Sequence, residues 1–140
     1  MKNVPSPAAA TPLRLRLMVW WVIWGAMLSG VCLIYAVLGR GPVAAAASNP
    51  FANLAGLVPL FVSIVLRWLV LPRYTDGQRA LVVFILGCAL AESAAILGIF
   101  LGGPYRDDLF LLGVLGIVQF VPFYARRLHE PKSSGFIPNN

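Results

Sequence analysis

From Leu17 to Leu38 the chain runs for 22 residues without a Lys, Arg, Asp, Glu or His. A helix rises 1.5 Å per residue and the hydrocarbon core of a bilayer is about 30 Å thick, so roughly 20 apolar residues cross it. Runs of the same kind recur at 51–71, where Arg67 is the only charge, at 80–101, where Glu92 is the only charge, and at 109–125. Hydrocarbon offers no partner to an unpaired backbone group, so such runs are expected to be helices rather than open strands. The expected fold is therefore all-α: an integral membrane four-helix bundle, antiparallel up and down, occupying residues 14–130. Residues 1–13 and 131–140 read as disordered tails. The fourth run is the shortest and contains Pro122, which kinks or ends it.

Composition agrees. Apolar residues make up 59% of the 140 and charged residues only 11%, where soluble domains carry about 25% charged. A soluble enzyme, a disordered chain and a disulfide-stapled secreted module are excluded, because a chain this small leaves about a third of its surface exposed.

The punctuation between the runs is that of helix ends. Gly39-Arg40-Gly41-Pro42 closes the first, Asn49-Pro50 precedes the second, Pro72-Arg73 closes it, and Gly102-Gly103-Pro104 closes the third. Thr75-Asp76-Gly77-Gln78 reads as a capping box, and Asp107 and Asp108 put negative charge at the start of the fourth helix. The connections 72–79 and 102–108 are short, so the last three helices are expected to be antiparallel neighbours. The first run is too long for the 7–15-residue apolar region of a signal peptide. It is expected to remain in the protein despite the small residues Ala44 to Ala47.

Of the 11 basic residues, all but Arg40 and Arg106 lie on the side of the two tails and the 72–79 turn. That bias makes both termini cytoplasmic. Trp20, Trp21, Trp24 and Trp68 fall toward the same side, as an interfacial aromatic belt would. The net charge of +6 is thereby explained by topology and contact with anionic lipid headgroups, and no nucleic-acid partner is expected. The expected location is the bacterial cytoplasmic (inner) membrane, with several passes.

Two ionisable groups fall inside the spans. Arg67 lies close enough to Pro72 to reach the headgroups or to serve as a charge partner. Glu92 is about 14 Å from Leu101 and about 18 Å from Ala80. At comparable depth lie Gln119, Ser29 and Ser63, one polar side chain on each other helix. A bundle would allow these four to form one hydrogen-bonded cluster. A protonated Glu92 donating to Gln119 or a serine would tie helices together. The sharper alternative is a proton or cation carrier.

The third helix also shows how it packs. Gly87, Ala91, Ala94, Ala95, Gly98 and Gly102 fall on one narrow face, with a GxxxG element at Gly98 and Gly102. Such a face fits contact within the chain or with another chain equally well. Glu92 lies at its flank, beside Cys88, Ala95, Ile96 and Ile99. Cys32 and Cys88 differ in depth by about 10 Å, beyond disulfide reach. His129 has no partner pattern for catalysis or metal, so no cofactor or metal site is expected.

The stretch FILGCALAESAAILGIFL, residues 84–101, resembles the carboxylate-bearing helix of the ring-forming c subunit of rotary ATP synthases. That resemblance implies ion-binding positions at Glu92 and Ser93. As a whole the chain resembles the small, uncharacterised four-helix proteins of bacterial inner membranes. No paired carboxylates, His cluster or nucleophile–base set accompanies the spans, so no enzyme is expected. The expectation is a structural or accessory membrane subunit, with a membrane-protein partner or a second copy beside it. The alternative is a proton or cation translocating component using Glu92.

Overall fold

The computed structural model describes residues 13–42, 50–123 and 125. The expected tails (except Leu13, which opens α1), the Ala44–Ala47 stretch, His129, and the basic residues Arg126, Arg127 and Lys132 lie outside the described residues. All regular structure among the described residues is helical. In chain order it comprises α1 (Leu13–Leu38), α2 (Pro50–Asn53), α3 (Leu57–Val65), α4 (Gly77–Leu101) and α5 (Arg106–Val118). α3 continues through a π-helical turn, Leu66–Val70, and a 3-10 turn, Leu71–Arg73, and a second 3-10 turn, Gly103–Tyr105, leads into α5.

Two helices are long and apolar enough to cross a membrane: Leu17–Leu38 of α1, and α4 with its 25 residues. These contain the first and third apolar runs. The second and fourth runs are interrupted, each at a proline. A proline ring clashes with the carbonyl four residues earlier and donates no N–H. Pro59 therefore forbids a helix continuous with Ala55, and the chain turns at 54–56 before α3 begins. Pro72 opposes the carbonyl of Trp68, and the helix widens there, with the Leu71 N–H reaching back to the Leu66 carbonyl. Pro122 opposes the carbonyl of Val118, the last residue of α5. Beyond it the chain proceeds by turns, in which Phe120 N–H donates to the Ile117 carbonyl and Val121 N–H to that of Val118.

The helix ends use the expected residues with one shift. The N-cap of α4 is Asp76 rather than Thr75: its Oδ1 accepts from the Gln78 N–H at 3.0 Å. Asp107 and Asp108 stand in the first turn of α5. After α4 the chain reverses at Gly103, whose φ of 51° lies in the left-handed region that glycine enters without cost.

α4 is the central helix. In its most apolar stretch 39% of the residues are buried, against 11% in that of α1. Its small face lies mainly on α5, which brings glycines of its own. A Cβ on Gly113 would lie 2.5 Å from the Ala95 Cβ, and one on Gly116 would lie 2.9 Å from the Ala91 Cβ. Gly98 packs on Leu109, and Gly87 lies under the Phe120 ring. Gly56 approaches the Ala94 carbonyl and seats the start of α3 against α4. Backbones this close gain dispersion contacts along their whole length. The small face expected for the third helix thus makes its contact within the chain.

The rest of the core is aromatic and aliphatic. Trp20, Phe84 and Phe120 form a chain of rings, with centroids 4.7 Å and 6.0 Å apart, linking α1, α4 and the end of α5. Trp20 is therefore buried inside the protein and is not at an interface as the belt reading expects. Val31, Ala91, Ala95 and Ile117 form a second buried cluster.

Candidate functional site

The four polar residues expected at one depth are not joined by hydrogen bonds among themselves. Ser63 is fully buried and its hydroxyl donates to the Gly87 carbonyl of α4 at 2.8 Å. Ser29 is exposed on α1 and donates to the carbonyls of Gly25 and Ala26 in its own helix. Ser93 likewise donates to the Leu90 carbonyl one turn back, at 2.8 Å. Gln119 belongs to a separate group at the end of α5.

That group satisfies a helix terminus. The last carbonyls of a helix have no partner within it, and Pro122 prevents α5 from continuing. Arg67 Nε donates to the Gln119 carbonyl at 2.7 Å. Its guanidinium carbon also stands 5.6 Å from the Trp68 ring centroid and 5.9 Å from that of Phe120. Trp68 Nε1 donates to Gln119 Oε1 at 3.2 Å, and Trp24 Nε1 donates to the Ile117 carbonyl at 3.0 Å. A cation at the negative end of the helix dipole adds to the stabilisation. Gln119 Nε2 is buried and has no hydrogen-bond partner among the described residues. Beside it a groove of about 180 Å³ is lined by Leu60, Ile64, Leu112, Leu115, Gly116 and Gln119, an apolar surface suited to hydrocarbon.

Glu92 is placed differently. It is half-buried near the middle of α4, on the side of α1. A Cβ on Gly30 would lie 3.8 Å from its Oε1. Among the described residues no hydrogen bond or ion pair reaches its carboxyl. α4 thus holds the carboxyl beside a glycine of α1, with no hydrogen bond to Gln119 or Ser63.

A third polar group lies at the opposite end of α1. The Tyr35 hydroxyl donates to Asp107 Oδ1 at 2.9 Å, and the Tyr35 ring stacks on Phe110 at 3.8 Å. Arg106 Nε donates to the same Asp107 oxygen at 3.2 Å, and Arg106 Nη1 donates to the Gly41 carbonyl at 2.8 Å. The Tyr35 hydrogen bond, then Arg106, hold the Asp107 carboxyl below its usual range. This clasp fastens the end of α1 to the start of α5.

Sequence reasoning missed the clasp, the two tryptophan hydrogen bonds, and the glycines of α5. Only the last left a readable signal, Gly113 and Gly116 one turn apart. Cys32 is exposed, Cys88 is buried, and both are free thiols. Among the described residues no group of three or more His, Cys, Asp or Glu converges on a point that would hold a metal ion. Comparison with protein-family models, with curated proteins and with solved structures finds no match to this chain.

Proposed function

We propose that this chain is a multi-pass protein of the bacterial cytoplasmic membrane, crossing four times with both tails in the cytoplasm, and serving as a structural or accessory subunit without catalysis. The observation that carries the reading is the outer surface of the helices. Val22, Leu33 and Val37 of α1, Val58 and Phe61 of α3, Val82, Leu86 and Phe100 of α4, and Leu111 and Leu115 of α5 are all exposed. A water-soluble protein rarely exposes contiguous apolar surface on this scale, whereas hydrocarbon requires it. A soluble core helix would also be buried on most sides, and α4 is not. The broken second segment and the short α5 fit the bilayer through their turns, which are packed against other helices where irregular backbone is tolerated.

The accessory role is supported by how the inner polar groups are used. Ser63, Arg67 and Trp24 each satisfy a backbone carbonyl of a neighbouring helix, and the groove beside Gln119 is apolar. They hold the bundle together and form no polar path across it. The second reading, proton or cation translocation, rests on Glu92, whose carboxyl at mid-helix has no hydrogen bond or ion pair among the described residues. Proteoliposomes separate the two. The accessory reading expects no proton or Na⁺ flux under an imposed gradient, in wild type or in Glu92→Gln. Flux abolished by Glu92→Gln would replace it with the carrier.

A further inference from the structure

Hydrocarbon makes an unpaired carboxyl costly, and intramembrane acids are normally paired or line a pathway. Within this chain the intramembrane arginine, Arg67, is directed to the Gln119 carbonyl, and the hydroxyls of Ser29 and Ser93 are turned onto their own helices. None of them reaches Glu92. Two small residues of α1 stand on the side that faces Glu92. Gly30 faces the carboxyl, and one turn earlier on the same side of α1 stands exposed Ala26. Small residues of this kind let a further helix approach closely.

We propose that this seam between α1 and α4 docks a transmembrane helix of a partner protein that carries a lysine or arginine at the depth of Glu92. Charge complementarity selects that occupant. A second copy of the chain would bring another carboxyl, and no cation, to the same depth. Lipid ammonium groups lie at the surface, about 14 Å from this carboxyl. A basic side chain on a neighbouring helix meets the carboxyl at its own level, and Gly30 leaves room for its stem. The inference rests on the accessory-subunit reading and names the chemistry of its partner.

The test uses the full chain in phosphatidylcholine vesicles, labelled at Ser6→Cys in a Cys32→Ser background. The probe is a synthetic polyleucine helix of about 20 residues with one central lysine, and the control is the same helix with leucine at that position. Energy transfer is expected to report association about tenfold tighter for the lysine helix, the scale of one interhelical polar contact. Glu92→Gln is expected to reduce it to the leucine level. Gly30→Leu places its Cβ in ordinary contact with the carboxyl. It is expected to block the lysine helix while circular dichroism shows an unchanged helical fold. Equal binding of the two probes, or lysine-helix binding that survives Glu92→Gln, overturns the inference. So does self-association of the chain that Glu92→Gln removes, which assigns the seam to a second copy. The flux measurement judges the accessory reading separately, because it uses no partner helix.

Discussion

Arg67 and Trp24 hold the end of α5 from two different elements: Arg67 donates to the Gln119 carbonyl, and Trp24 adds a second donor to the Ile117 carbonyl, which also accepts from the Phe120 N–H. Removing one partner of a buried hydrogen bond costs about 1–3 kcal/mol, because the other group stays desolvated. Arg67→Met is expected to lower stability by about that amount when unfolding is followed in mixed detergent micelles. Gln119→Met is expected to cost less, since it also removes a buried, unpartnered Nε2. At the other end of the molecule Asp107 makes stability depend on pH. Its carboxyl is held below the ordinary value of 3.8 by the Tyr35 hydroxyl and then by Arg106. A lowered carboxylate stabilises the fold above the ordinary value and loses that contribution as pH falls through the lowered one. Unfolding midpoints measured from neutral to acid pH are expected to fall over that window, and to fall less in Tyr35→Phe. The residue scale is also where the sequence misleads. Ser29, Ser63, Glu92 and Gln119 share no hydrogen bond among the described residues, because depth along a helix says nothing about rotation around it. Ser29 is exposed and turns onto its own helix, whereas Ser63 is buried and turns to α4.

At the scale of elements, α1 and α4 were legible because length and uninterrupted apolarity leave few alternatives. The second and fourth runs were legible as apolar but not as helices with fixed ends, because a proline acts on the carbonyl four residues before it. Read that way, Pro122 marks Val118 as the last helical residue, where the structure ends α5. The contact between α4 and α5 was half visible. The small face of α4 stands out in the sequence, but nothing there says which helix covers it, because that depends on register between two elements. The register rests on Gly113 over Ala95 and Gly116 over Ala91. Gly113→Leu would drive a side chain into α4 backbone and is expected to cost at least about 1–3 kcal/mol. Gly25 has nothing within 4 Å of a Cβ, so Gly25→Ala is expected to leave stability unchanged or raise it by up to about 1 kcal/mol. Thermal unfolding of the two variants in the same detergent compares them directly.

At the scale of the whole molecule, the apolar exterior and the placement of charge belong to one picture. Large apolar side chains are exposed along α1, α3, α4 and α5, while Arg73 and Asp76 stand before α4, Arg79 in its first turn, and Arg40 and Arg106 at the opposite end. Composition makes the apolar exterior legible, because it depends on the number of apolar side chains and needs no register between helices. Composition does not foretell the turn at 54–56 or the widening before Pro72 in the second segment. The direct measurement is labelling of single cysteines, in a background lacking Cys32 and Cys88, with a membrane-impermeant maleimide applied to intact cells and to inverted vesicles. Four crossings predict that Ser6→Cys and Gly135→Cys react only in inverted vesicles and that Gly41→Cys reacts only in intact cells. Labelling of Ser6→Cys and Gly135→Cys from opposite sides would contradict the four-span topology and the cytoplasmic placement of both tails.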